Sequence, residues 1–178
     1  MDLRYRTSAQ ILHWLIALVV IGLLIVGLIL KYDLASKAVE PTLAMLHMSF
    51  GLCILILMIL RLGLRLTWTA PPLPDSISPA IRFASGATQA LFYILLIAMP
   101  VFGVLFVEAH GKKVPFFGLF TLPTVVGKSD AVRHLFAFLH FWGGITVIAL
   151  LFLHVAGAIR HQMRGERIIR RMMPRRSN

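Results

Sequence analysis

Four long apolar runs divide this chain, and each is near the ~20 residues that an α-helix needs to cross the hydrocarbon of a bilayer. They cover residues 9–30, 43–66, 87–107 and 137–159. In lipid a backbone must satisfy its own hydrogen bonds, so runs of this length predict an all-α integral membrane four-helix bundle. Composition agrees: 58% of the 178 residues are hydrophobic, only 14% are charged, and mean hydropathy is +0.84. No internal repeat, coiled coil or soluble second domain interrupts the pattern, so residues 1–178 read as a single membrane domain. The first run follows Arg4 and Arg6, as a signal peptide would. It is too long for one and lacks a small-residue cleavage site, so it reads as a retained helix.

The net charge of +11 could suggest a nucleic-acid partner. Here the basic residues flank apolar runs instead of forming a soluble patch, so nucleic acid is excluded as a partner and the charge becomes a topology signal. Twelve of the 18 Lys and Arg residues, all arginine, fall in the N-terminus, the second connection and the C-terminal tail. The other two connections hold the remaining six, Lys31, Lys37, Lys112, Lys113, Lys128 and Arg133. The positive-inside rule then predicts a multi-pass protein with both termini cytoplasmic. Most tail arginines are expected to meet anionic lipid headgroups. Pro71, Pro72, Pro74 and Pro79 predict an irregular second connection. In the third, the apolar Val114–Gly118 stretch is expected to lie at the interface or fold over the bundle. Pro100 is expected to kink the third span, which carries no histidine.

His13, His47, His140 and His154 lie inside the spans, where an ionisable side chain is costly and therefore a functional signal. With both termini inside, His13 and His154 fall near the cytoplasmic face, His47 and His140 near the outer face. Depth alone pairs them that way. Fourteen residues separate His140 from His154, a rise of about 21 Å with an azimuth difference of only ~40°. Both therefore point into one bundle interior, at two levels. Neutral imidazole is a common axial ligand of haem iron, so the pattern predicts two b-type haems, one per pair. The single cysteine, Cys53, and the lack of a C-x-x-C-H motif mean that such haems would be non-covalent.

Small residues follow each histidine by one turn: Ala17, Gly51, Gly143 with Gly144, and Gly157 with Ala158. Any one of them alone reads more readily as close helix packing. Beside four histidines they read as room for a flat macrocycle. Arg4, Arg6, Arg61 and Arg65 could neutralise propionates. His110 reads as a solvated loop residue, and His134 as an outer-surface group or the end of a loop helix. His161, two turns after His154 on nearly the same face, is a candidate contact for a quinone oxygen or a propionate, and reads equally as a solvated helix-end histidine.

At this point the chain resembles the bacterial cytochrome b561 family over nearly its whole length. The resemblance is carried by Ile11-Leu12-His13-Trp14-Leu15, Met45-Leu46-His47 with Gly51, and Arg61-Leu62-Gly63-Leu64-Arg65 with its adjoining proline-rich loop. The His140-x13-His154 spacing and Arg171-Met172-Met173-Pro174-Arg175 complete it. The resemblance implies a four-helix bundle with two bis-histidine haems. It further implies, for some members, oxidation of periplasmic superoxide with ubiquinone as electron acceptor. Other members with the same core serve as cytochrome subunits of a hydrogenase or dehydrogenase complex, which is the alternative expectation. No catalytic side chain is assigned, because superoxide loses an electron without covalent activation.

Overall fold

The structure, a computed structural model, describes residues 4–68, 71–72, 77–166 and 168–173. Four helices dominate it: α1 Thr7–Lys31, α2 Glu40–Thr67, α3 Pro79–Ala109 and α4 Asp130–Met163. All four are long and apolar enough to cross a membrane. A short 3-10 turn, Ile169–Met172, follows α4. Between α3 and α4 a minimal hairpin pairs β1, Pro115–Phe116, antiparallel with β2, Phe120–Thr121. The fold is the all-α bundle that the apolar runs predict.

α3 and α4 each begin about two turns before their apolar runs. Pro79 opens α3 with its φ already set for a helix and its missing N–H costing nothing at the first position. Ser129 caps α4 by accepting a hydrogen bond from the Val132 amide, and Asp130 puts a negative charge on the positive end of the helix. At 34 residues, α4 is about 51 Å long, well beyond a ~30 Å hydrocarbon core. Its first turns therefore stand outside the apolar layer. α3 runs unbroken through Pro100.

Consecutive helices pack side by side: α1 on α2, α2 on α3, α3 on α4. Among the described residues, neither α1 nor α2 approaches α4 as closely. The core is a layer of Ile16, Val20, Ile54, Met58 and Val147 in the middle of the bundle.

One end of the bundle is closed by the hairpin. The Phe117 amide donates to Ser49 Oγ at 2.8 Å, and that hydroxyl donates to the Met45 carbonyl at 2.8 Å. Ser49 is fully buried, so the hairpin is pinned to α2 two residues from His47, and the Val114–Gly118 stretch does fold over the bundle. Phe117 and Gly118 both take positive φ, 50° and 73°, which the tight reversal requires. Buried Glu108 holds the connection after β2 by accepting from the Val125 and Val126 amides, each at 3.1 Å.

Both termini meet at the other end. The Tyr5 amide donates to the Arg171 carbonyl at 3.0 Å, and Trp14 Nε1 donates to the Met172 carbonyl at 2.8 Å. Arg171 is buried and donates to the Pro71 and Pro72 carbonyls at 2.5 and 3.0 Å, with its guanidinium over the Tyr5 ring. This corrects the expectation of a lipid-facing tail for Arg171: the side chain ties three segments together. Arg6 likewise stacks over Trp68, 4.5 Å from the ring centre. Pro74, Arg167, Pro174, Arg175 and Arg176 lie outside the described residues.

Candidate functional site

The four intramembrane histidines come together as two pairs across the space that α4 leaves beside α1 and α2. The His13 and His154 rings are 6.2 Å apart centre to centre, with planes crossing at 67°. The His47 and His140 rings are 6.0 Å apart at 71°. The first pair lies toward the termini, the second toward the hairpin. α4 supplies one member of each.

The spacing has a direct chemical meaning. Two metal–imidazole bonds of about 2 Å span ~4 Å, and what remains of the ring separation is roughly one ring radius at either end. Among the described residues, no three His, Cys, Asp or Glu side chains gather as a protein-only metal site needs. Facing pairs of imidazoles are instead what a porphyrin-held iron asks of its protein.

Hydrogen bonding orients the hairpin-side pair. His140 Nδ1 lies 3.0 Å from the Met99 carbonyl on α3. A carbonyl only accepts, so the proton sits on Nδ1 and Nε2 keeps its lone pair for a ligand. Among the described residues, His47 Nδ1 is buried with no partner of hydrogen-bond geometry. The Leu23 backbone on α1 interacts with this ring, as Met99 on α3 does with His140.

A cavity of about 460 Å³ surrounds this pair, a size usual for a cofactor pocket. His47, His140, Gly27, Gly51, Gly103 and Gly144 are among its lining, with Lys31 at the end near the hairpin. Gly51 and Gly144 are thus two of the small residues expected beside the ligands. Gly143 is not: a Cβ there would lie 2.4 Å from Met99 Sδ, so this glycine serves the contact of α3 with α4. Sequence reasoning missed Gly27 and Gly103. A Cβ at Gly27 would sit 3.2 Å from His47 Cε1, and one at Gly103 would sit 3.1 Å from His140 Cε1. Each glycine is the floor on which an imidazole rests.

A signal for Gly27 was present in the spacing. Gly27 follows His13 by fourteen residues, and Arg61 follows His47 by fourteen, as His154 follows His140. Each step brings the helix back to nearly the same face about 21 Å further along. On α3, Phe92 touches the His154 ring at 5.7 Å between centres, and Gly103 lies eleven residues on, within ~20° of the same face. The terminus-side level is therefore His13, Arg61, Phe92 and His154. The hairpin-side level is Gly27, His47, Gly103 and His140.

Arg61 stands at the terminus-side level one fourteen-residue step after His47, and its Nε donates to the Tyr93 hydroxyl oxygen at 3.4 Å. His161 lies inside α4, as its spacing predicts, but its Nδ1 is engaged by Glu166 just beyond the helix end. His134 is also in α4 and contacts Arg133 at 3.2 Å, so it belongs to the helix and not to a loop. At the hairpin end, Lys37 bridges Glu40 at 2.9 Å and Asp33 at 3.7 Å, and the Glu40 hydrogen bond and charge push its ammonium above the ordinary lysine range. Its charge is locally balanced. Lys31 packs near the Phe141 ring instead, 5.1 Å from its centre.

Comparison with known proteins agrees with this architecture. A family model described as prokaryotic cytochrome b561 matches residues 4–175. Cytochrome b561 homolog 2 of Escherichia coli (strain K12) is 33% identical over 164 residues, spanning 89% of this chain and 84% of that protein. The probable superoxide oxidase CybB of Yersinia pestis is 26% identical over 164 residues, spanning 92% of each. The chain is thus a four-helix membrane cytochrome, and it belongs to the prokaryotic cytochrome b561 family.

Proposed function

We propose that this protein holds two haem b groups, one between His13 and His154 and one between His47 and His140, and carries electrons from superoxide at the outer face to ubiquinone. The observation that supports it most is the pair of matched imidazole gaps, 6.2 and 6.0 Å, at two levels of one bundle. The arginine bias puts the termini, and with them the His13–His154 level, on the cytoplasmic side of a bacterial inner membrane. The hairpin then faces outward. The relative named a probable superoxide oxidase supports the choice of donor.

When bound, haem b supplies one-electron carriage between its ferric and ferrous states. The chain's own residues do the rest. His47 and His140 hold the outer group, with the Met99 carbonyl fixing the His140 tautomer. Ile16, Val20, Ile54 and Val147 fill the space between the levels and keep water out of it. Lys31 lines the outer cavity and offers a positive charge to an approaching anion. Two superoxide anions each give up one electron and leave as dioxygen. The quinone takes both electrons and two protons and leaves as quinol.

The test is direct. The purified protein should show a low-spin b-type spectrum with two haems per chain, should be reduced on rapid mixing with superoxide, and should be reoxidised by added quinone. A protein with two haems that superoxide does not reduce overturns the donor while leaving the cytochrome in place.

A further inference from the structure

A second cavity, a groove of about 700 Å³, runs along the seam of α2 and α3 and is separate from the lining of the hairpin-side pocket. Arg65, Gln89 and Tyr93 form its polar end, and from there it continues along Ile97, Ala98 and Val101. Gln89 to Val101 is twelve residues of α3, about 18 Å of helix. Polar groups at one end and an apolar furrow at the other suit an amphipathic molecule with a small head and a long tail.

The chemistry of the head follows from the donors. Arg61 Nε donates to the Tyr93 oxygen, and among the described residues no acceptor takes the Tyr93 hydrogen. Tyr93 therefore has its hydroxyl hydrogen to offer the groove. Gln89 Nε2 donates to Ser85 Oγ at 3.5 Å, which leaves its second amide hydrogen and its carbonyl, and Arg65 has donors only. Donors predominate in this set, which favours a head rich in acceptors. Only one of the three is charged, so a neutral carbonyl head is better matched than a phosphate.

Position gives the reason for such a site. Arg61, which holds Tyr93, lies at the level of His13 and His154, and Phe92, the neighbour of Tyr93, touches the His154 ring. A head at Tyr93 is one side-chain layer from the terminus-side pair. His161 is the poorer competitor, because Glu166 already occupies its Nδ1.

We propose that the α2–α3 groove binds an isoprenoid quinone, with a carbonyl accepting from Tyr93 and Gln89 and the tail lying along Ile97 and Val101. This rests on the reading of the chain as a quinone-reducing cytochrome and names the site at which that reaction meets the membrane.

The experiment uses the haem-loaded protein in nanodiscs of phosphatidylethanolamine and phosphatidylglycerol, with a photoreactive azidoquinone bearing a ten-carbon tail. After illumination the adduct is located by mass spectrometry. The expected result is labelling of α2 and α3 around Arg65 and Tyr93. Ala90→Trp, which fills the groove, should abolish labelling, and Tyr93→Phe should weaken probe binding roughly fivefold, the value of one hydrogen bond. Gln89→Leu, at an exposed position, should weaken binding to a similar degree and serves as the second variant. All three should keep their haem content and spectrum. Labelling centred on His161, or labelling unaffected by Ala90→Trp, overturns the site. Loss of the adduct when phosphatidylglycerol is raised at constant probe marks an anionic-lipid site and also overturns it. A chain that binds no haem overturns the underlying electron-carrier reading as well, and the spectrum separates that outcome from a haem-loaded protein that does not label.

Discussion

His140 on α4 donates from Nδ1 to the Met99 carbonyl on α3 at 3.0 Å, so a helix without a histidine sets the tautomer of a ligand on its neighbour. Met99 lies immediately before Pro100, and α3 stays helical through both. The hairpin-side ring is therefore held by backbone, which no side-chain substitution removes.

The pairing predicts how losses divide. His47→Ala or His140→Ala should lower the haem-to-protein ratio from about two to about one and remove one low-spin signal, each variant removing the same one. His13→Ala or His154→Ala should remove the other. Haem content by pyridine haemochrome and signals by electron paramagnetic resonance check this; a single signal lost by all four variants refutes the pairs.

Gly103 and Gly27 predict a finer effect. A methyl at either site meets an imidazole at 3.1 or 3.2 Å, close enough that the ring must give by a few tenths of an ångström. Gly103→Ala and Gly27→Ala should keep both proposed haems but shift the hairpin-side low-spin signal and its midpoint potential, leaving the terminus-side signal alone. Gly22→Ala, where a Cβ meets nothing within 4 Å, is the control and should raise helix stability by up to about 1 kcal/mol.

Lys31 predicts an electrostatic signature. Lys31→Gln should slow superoxide-driven reduction by up to roughly tenfold at low salt, and the gap from the parent should close as salt rises. Lys37→Gln should do less, because Lys37 is already balanced by Glu40 and Asp33. Stopped-flow rates across ionic strength test the contrast. Equal effects of both variants would assign steering to the general field of that end.

Arg171 predicts a structural cost away from any haem. Arg171→Ala should leave the Pro71 and Pro72 carbonyls without their donor and lower stability by about 2–4 kcal/mol. Arg171→Lys should recover little, since an ammonium cannot reproduce the planar fork. Thermal unfolding in detergent reads this.

How much of this was legible follows from which signals are periodic. The spans and the histidine pairs were readable because both rest on helical rise and turn, and a fourteen-residue step falls on one face. Gly27 and Arg61 carry the same step, at fourteen residues beyond His13 and His47, but neither is a metal ligand, so only their spacing marks them. Gly103 was hidden more deeply. It supports a histidine on another helix, and contact across helices leaves no period in the chain. The start of α4 was legible in Ser129-Asp130 as a cap and was missed because the apolar run starts later. Arg171 was misread because a basic tail at a membrane surface has a common fate, and its burial depends on carbonyls about a hundred residues away.

The single contribution of α4 to each pair sets an order of assembly. The ribosome delivers α1, α2 and α3 before any residue of α4, and in that interval His13 and His47 are in the membrane with no opposite imidazole. Neither pair is complete until the last helix inserts. If each pair holds a haem, as proposed, maturation is one late event in the life of the nascent chain, and a translation product that stops before Asp130 keeps the hydrophobicity for the membrane but lacks one ligand of every pair.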